Sequence, residues 1–245
     1  MTSKHARLDR FLSQCLGQSR REIQHLLAAG RVQVDDLLAR DGQQRIGPFS
    51  RVQLDNNLLQ ARQPRYLMLN KPAGVISATR DSKHRTAIDL LDERGGDDLH
   101  IAGRLDFNST GLLLLTNDGD WSRRLSTPEN RVSKRYRVTL EKPIDEEYVR
   151  VFAEGMWFEH ERITTRPAQL HILGERVADV VLREGRYHQI KRMFGRFRNR
   201  VLTLHRSAVG ELQLDPGLAP GASRALTALE VLAAHADSAS ASGEE

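Results

Sequence analysis

Apolar residues recur at helical spacing near the start of the chain. Leu8, Phe11, Leu12, Cys15 and Leu16 fall at i, i+3, i+4 and i+7, which predicts an amphipathic helix that Gly17 ends. Ser19-Arg-Arg-Glu22 reads as a capping box, with the Ser19 hydroxyl accepting from the amide of residue 22 while Glu22 reaches back. It opens a second helix that turns Ile23, Leu26 and Leu27 inward and stops at Gly30, before a short strand over 31–34. The pattern changes past residue 60. Residues 61–64 read as a linker, because Pro64 restricts its predecessor to extended conformations. Short apolar runs then predict strands over 65–69, 111–116, 135–140, 177–182 and 201–204, with helices over 145–153 and 187–197. Strands mixed with few helices, without regular βαβ alternation, imply an α+β fold built on a mainly antiparallel central sheet. The expected organisation is a small α-rich domain over 1–60, a larger domain over 65–233 and a disordered tail over 234–245.

Composition narrows the class. Hydrophobic residues make up 39% of the 245, enough for a packed core. The longest aliphatic run, Leu112 to Leu115, is far short of a membrane span, and the first residues lack the apolar stretch of a signal peptide, so a soluble cytoplasmic protein is expected. Cys15 is the single cysteine, and the nine histidines show no His-x-x-x-His pair; neither an internal disulfide nor a zinc site is expected. The formal charge of +5 is unevenly spread. Residues 1–31 hold six Lys/Arg against two acids, residues 183–206 hold eight against Glu184 alone, and residues 141–161 hold seven acids against two bases. Two basic regions separated by an acidic one suit a polyanion held along chosen surfaces, although such runs also simply solvate exposed faces.

Chemistry concentrates in Gly103-Arg-Leu-Asp-Phe-Asn-Ser-Thr-Gly111, a loop of small polar residues that carries Asp106 and runs into the apolar strand at 111–116. A reactive group is well held on such a loop. Taken alone, Asp106 reads as readily as a turn aspartate capping its own backbone. No phosphate-loop or dinucleotide glycine pattern is present.

Three further segments weigh against the plain turn. Asn70-Lys-Pro-Ala-Gly74 follows a strand, Lys134-Arg-Tyr-Arg-Val138 opens another, and Glu184-Gly-Arg-Tyr-His-Gln-Ile-Lys-Arg-Met-Phe194 leads into a basic helix. With Gly103-Arg-Leu-Asp106, in this order and spacing, they resemble the pseudouridine synthases of the RsuA/RluB/RluE/RluF family over about residues 5–232. Asn117-Asp-Gly-Asp-Trp-Ser122, Gly185-Arg-Tyr-His-Gln-Ile-Lys-Arg-Met-Phe194 and Leu204-His-Arg206 favour the small-subunit (16S) branch over its large-subunit (23S) relatives. The basic helix-turn-helix-strand at the N-terminus is similar to the RNA-binding module of ribosomal protein S-four, the αL motif, with Val34-Asp-Asp-Leu-Leu where Val-Asn-Gly is common.

The resemblance implies isomerisation of a uridine in ribosomal RNA. The bond from ribose to uracil nitrogen 1 breaks, the base turns, and carbon 5 takes its place. No redox change or net hydrolysis occurs, so neither cofactor nor metal is required. Cleavage makes the sugar electron-poor, and a carboxylate can attack it or draw a proton from it; residue types leave both routes open. By resemblance Asp106 has this role, Lys191 pairs with it (Arg192 being the alternative), and Tyr136 lies against the uracil. Arg104 would fill the gap left by the extruded nucleotide. Arg186, His188 and Arg192, with Arg7, Arg20, Arg21 and Arg31 of the N-terminal module, are expected on RNA. Lys71 is expected to serve the fold or a phosphate. Arg7-Leu-Asp9 repeats the letters around Asp106, but it opens a helix, and Asp9 reads as a helix-terminus charge. The chain is expected to act as a monomer with ribosomal RNA as its partner. A non-catalytic assembly factor or a nucleoside hydrolase would use parts of the same pattern, without needing Asp106, Tyr136 and Lys191 together.

Overall fold

Local rules account for the N-terminal elements. The fold is described from a computed structural model, which describes residues 5–91, 96 and 98–236 and divides into compact units at 1–64 and 65–245. In the first unit, β1 (Ala6–Arg7) leads into α1 (Leu8–Leu16), which Gly17 ends at φ +68°. The helix α2 (Arg20–Ala28) starts on the complete Ser19/Glu22 capping box. Beyond it lie β2 (Val32–Val34), β3 (Leu37–Leu38), β4 (Arg45–Ile46), β5 (Val52–Leu54) and β6 (Asn57–Gln60). The sheet order is β3-β2-β5-β6, and β4 pairs with β1. Leu8, Leu12, Ile23 and Leu27 pack with Val32, Val34 and Val52 as the core of this unit. Asp35 and Asp36, both at positive φ, make the two-residue turn between β2 and β3, and Asp55 and Asn56 do the same between β5 and β6. This is the primed hairpin turn, in which Asp and Asn tolerate the left-handed region best after glycine.

The second unit is built on a mixed sheet. Its strands are β7 (Tyr66–Lys71), β8 (His100–Ala102), β9 (Thr110–Thr116), β10 (Lys134–Leu140), the short pair β11 (Trp157–Phe158) and β12 (Ile163–Thr164), β13 (Gln169–Gly174), β14 (Val177–Leu182), β15 (Val201–Val209), β16 (Leu212–Gln213) and β17 (Ser223–Ala225). The helices are α3 (Gly119–Ser126), α4 (Glu146–Glu154), α5 (Gln189–Gly195) and α6 (Ala228–Ala233). Among the described residues the main sheet runs β13-β14-β10-β15-β9-β7-β17, with β16 on β15 and β8 on β9. Every pairing is antiparallel except β15 with β9. No helix among the described residues is long and apolar enough to cross a membrane.

Apolar side chains cover one face of this sheet and, at its β9 end, the other face as well. Val138, Leu140, Val180 and Leu182 pack against Phe152 of α4 and Ile190, Met193 and Phe194 of α5. Leu112 and Leu114 meet Trp121 and Leu125 of α3 on one face of β9, while Leu113 and Leu115 meet Leu105 on the other. The strand is apolar along its length because it is covered on both sides.

Several elements differ from expectation, among them α6 and most of the short strands, which the sequence pattern did not predict. The strand at 201–204 extends to Val209, because Arg206 and Ala208 continue its buried face. The helix α3 has no counterpart among the expected elements; Asp118 caps it by accepting from the amides of Asp120 and Trp121. The tail expected from residue 234 does not begin there. Ala234 is buried and His235 meets Trp121 edge-on, which holds the described end against α3. The remainder of that tail, 237–245, lies outside the described residues.

Gly111 marks the point where β9 and β15 meet in parallel, opposite Arg206. It sits at φ +99°, and a Cβ there would collide with the Arg206 backbone. Gly111→Ala is expected to cost at least about 2 kcal/mol of unfolding free energy, from backbone strain and overpacking together. Chemical denaturation checks this, and an unchanged midpoint would contradict the close approach.

Candidate active site

One register row crosses five strands and carries the polar residues beneath the Asp106 loop. Val180, Tyr136, Arg206, Gly111 and Lys71 are successive partners from β14 to β7. Gly111 supplies no side chain between two long cationic ones. Arg206 and Lys71 are almost wholly buried, at 2% and 0% exposure, so their charges must be satisfied inside the fold.

Both cations are satisfied by backbone carbonyls. The Arg206 guanidinium donates to Leu112 O at 2.8 Å, Gly103 O at 2.9 Å and Arg104 O at 3.5 Å. The Lys71 ammonium donates to Ser109 O at 2.8 Å, Pro72 O at 3.0 Å and Phe107 O at 3.1 Å. Ser77 completes the arrangement, giving its hydroxyl to Leu105 O at 2.8 Å while accepting from the Leu105 amide at 3.0 Å. Residues 103, 104, 105, 107 and 109 are thus each tied down by an oxygen, leaving Asp106 at the tip of a fixed loop.

The Asp106 carboxylate meets α5. Lys191 Nζ donates to Asp106 Oδ2 at 2.8 Å, and His188 Nε2 lies 3.4 Å from the same oxygen. The carboxylate keeps 28% of its exposure, so an outside molecule can reach it. His188 holds φ +50° at the N-terminal end of α5. Glu184, only 6% exposed, organises this turn. It accepts from Gln189 Nε2 at 2.7 Å, Arg186 Nε at 3.0 Å and the Arg166 amide at 3.0 Å. Tyr136 is half-buried and packs against both the cluster containing Leu105 and the cluster containing Ile190, Met193 and Phe194. It therefore bridges the loop that bears Asp106 and the helix that bears Lys191.

The other expected residues divide by the state of their charge. Arg192 does not serve as the partner of Asp106. Its guanidinium grips Glu161 through two contacts of 2.5 Å and lies 3.7 Å above the Phe158 ring. Arg186 is held by Glu184. Arg104 is exposed beside Asp106, with only its carbonyl in the loop clamp. In the first unit Arg31 binds Asp55 through two nitrogens and Arg7 binds Asp9 at 2.6 Å. A guanidinium chelated by a carboxylate has its charge offset and fewer donors left for a phosphate, which weakens the case for Arg7, Arg31, Arg186 and Arg192. Arg20 and Arg21 are exposed and make no ion pair among the described residues. Asp9, almost buried, accepts from the Arg10 amide and stays at the start of α1. Among the described residues no group of three His, Cys, Asp or Glu side chains is placed to hold a metal ion.

Sequence reasoning placed Arg206 and Glu184 in motifs without giving either a role, and it gave Lys71 no part in the site. The available signal was a charged residue on an otherwise buried strand face, as in Leu204-His-Arg-Ser-Ala208. Burial pushes the Lys71 ammonium down to about 8; the Asp106 charge opposes that fall and Arg206 adds to it. The ordinary lysine value is 10.5, so between about 8 and 10.5 the unfolded chain binds more protons than the folded one. Stability contributed by Lys71 therefore increases with pH across that window. Denaturant midpoints from about pH 7 to 10 should climb for wild type relative to Lys71→Met, whereas parallel curves would show that Lys71 does not titrate there.

Comparison with known proteins places the chain in a family. The family model of RNA pseudouridylate synthase matches residues 65–195, which include Lys71, Asp106, Tyr136 and Lys191. The chain is 55% identical to ribosomal small subunit pseudouridine synthase A of Pseudomonas aeruginosa, across 92% of this chain and 98% of that protein. It is 42% identical to the protein of the same name from Escherichia coli, across 92% and 98%. A crystal structure of a pseudouridylate synthase superposes with a TM-score of 0.69 at 36% identity, covering 93% of this chain and 99% of that one. The chain belongs to the RNA pseudouridylate synthase family.

Proposed function

We propose that this chain converts one uridine of small-subunit ribosomal RNA to pseudouridine, with Asp106 as the carboxylate that acts on the ribose. The observation that carries the reading is the 2.8 Å Lys191–Asp106 pair at the tip of the clamped loop. The substrate class rests on relatives that cover nearly the whole chain and are named for the small ribosomal subunit.

The chemistry needs a carboxylate oxygen facing the sugar of an extruded nucleotide. As the bond to nitrogen 1 breaks, positive charge grows at the ribose and negative charge on the uracil. Asp106 stabilises the first by attack on the sugar or by taking a proton from it, and both routes use the same fixed oxygen. Lys191 holds that oxygen in place and keeps a positive charge beside it. Tyr136 supports the freed base while it turns, since stacking of a base on an aromatic is worth roughly 1–3 kcal/mol. Carbon 5 then bonds to the ribose and loses its proton, and no water enters the products. Arg104, exposed next to Asp106, is suited to stack where the nucleotide left the helix.

Residues 1–60 serve as an RNA-binding module in this reading. Arg20 and Arg21 at the start of α2 have uncommitted charge, and a helix N-terminus also favours phosphate. The sites of Arg7 and Arg31 contribute less, for the reason given above.

Two measurements test the proposal. Asp106→Asn should abolish pseudouridine formation, scored by chromatographic separation of the nucleosides from digested 16S transcript, while RNA affinity stays within a few-fold of wild type. Lys191→Met should lower turnover by roughly 10²–10³, the usual loss when a preorganised charge is removed. Normal turnover in Asp106→Asn would remove this carboxylate from the mechanism. Replacing Arg20 and Arg21 together by Ala should weaken RNA binding and flatten its dependence on salt, by about 0.7–0.9 in log–log slope for each phosphate that is no longer neutralised. An unaltered slope would exclude both arginines from the RNA interface.

A further inference from the structure

The larger unit carries a second cationic feature that the Asp106 chemistry does not use. Two adjoining cavities, of about 340 and 400 Å³, open beside β13 and β14 and share Gln169, Val181 and Arg183. Each falls within the range of roughly 300–1,000 Å³ typical of small-ligand clefts. Four arginines line them: Arg135 and Arg183 in the first, Arg131, Arg166 and Arg183 in the second.

Strand alternation sets this surface apart from the candidate active site. Gln169, Val181 and Arg135 are register partners across β13, β14 and β10. Their sequence neighbours Leu170, Leu182 and Tyr136 pack in the cluster beside α4 and α5. Arg135 and Tyr136 therefore point to opposite faces of the sheet. On that opposite face α3 packs over the β9 end, whereas Gln169, His171 and Leu173 of β13 remain exposed.

Arg131, Arg135 and Arg166 carry charge that no acid offsets among the described residues. Asp179, the acid in the lining, is already gripped by Arg137 through contacts of 2.7 and 2.9 Å. Arg131 and Arg135 are exposed and make no ion pair among the described residues. The Arg166 guanidinium donates to Pro128 O at 2.7 Å, a neutral oxygen that leaves its charge unneutralised. In the second cavity the lining between the guanidinium groups is mostly apolar, from Val181, Pro167 and Ala168, and in the first Ser133, Gln169 and His171 add polar groups. Cations spaced around a shallow apolar floor match a polynucleotide, in which charged phosphates alternate with flat bases and sugars.

The cavities also connect mechanically to the candidate active site. β14 leads straight into the turn that carries Glu184, Arg186 and His188. The buried Glu184 carboxylate accepts from the Arg166 amide on the cavity side and from Arg186 and Gln189 on the active-site side. A strand leaving the Asp106 cleft past this turn would reach the four arginines where β13 forms the sheet edge.

We propose that the paired cavities lined by Arg131, Arg135, Arg166 and Arg183 are a second phosphate-binding site, which holds a stretch of substrate RNA flanking the target uridine. The inference rests on the reading of the chain as an enzyme acting on ribosomal RNA. The site binds without taking part in the chemistry, because it lies on the face opposite Tyr136.

The test uses full-length protein in which Arg131 and Arg135 are both changed to Ala, with Arg131→Lys/Arg135→Lys as a charge-preserving control. The substrate is a 16S transcript, and wild-type turnover measured alongside decides separately whether the enzymatic reading holds. The Ala pair should raise KM by roughly tenfold at physiological salt and flatten the salt slope of binding by about 1.5, as two phosphates go without a cation. Its kcat should stay unchanged and the Lys pair should remain close to wild type. Hydroxyl-radical footprinting should show loss of protection beside the target uridine, with protection at the target retained. Wild-type affinity, salt slope and footprint in the Ala pair overturn the site, and would leave this face to a protein partner. A drop in kcat at unchanged KM overturns it as well, because the arginines would then act through the fold of the catalytic face.

Discussion

The site depends on two buried cations whose partners are carbonyl oxygens. An isolated ammonium or guanidinium inside a protein is strongly unfavourable unless its donors are used. Arg206 and Lys71 use theirs on Gly103, Arg104, Phe107 and Ser109, the backbone on either side of Asp106. Neutral oxygens satisfy the donors without cancelling the charge. The loop is fixed from below, and positive charge remains beneath the one acid it presents. The depressed Lys71 value, partly restored by Asp106, is the electrostatic mark of that coupling.

The sheet makes this arrangement possible. Arg206 and Lys71 stand on β15 and β7, with β9 between them, and a side chain at the intervening position would occupy the space both must cross. Gly111 leaves that space open and also permits the close parallel contact of β9 with β15. Tyr136 continues the same row onto β10 and packs toward α5, so helix and loop are positioned by one set of strand registers. Glu184 orders the turn before α5 in a comparable way, an acid tying together donors from three places. Strand register thereby sets the meeting of Asp106 with Lys191.

Much of this could be read from the chain alone, and the reasons differ by element. The helices α1 and α2 were legible because apolar spacing, the Ser19/Glu22 box and Gly17 all agree. The long strands of the larger unit were legible from their apolar runs. The hairpins at Asp35-Asp36 and Asp55-Asn56 were not, since their turns lack glycine and their strands are only two to four residues long. The helix α3 begins with Gly119 and holds few apolar residues, so periodicity gave little sign of it. At the site, Asp106 and Lys191 stood out through motif order and lie 85 positions apart in sequence. Arg206 stood in the Leu204-His-Arg206 motif, but its role was hidden because an arginine among basic neighbours reads as surface. Its burial depends on a long-range strand pairing that no local pattern encodes. The same limit applies to Arg7, Arg31 and Arg192, whose carboxylate partners are Asp9, Asp55 and Glu161. Charge counting registers such arginines as free.

The central claim is that a fixed carboxylate breaks and remakes bonds to one ribose without admitting water. It is tested most directly with a 16S transcript bearing tritium at carbon 5 of uracil, incubated with the wild-type protein. Tritium should pass to water in step with loss of one uridine, with no free uracil. Tight RNA binding with no tritium released, or appearance of free uracil, would contradict it.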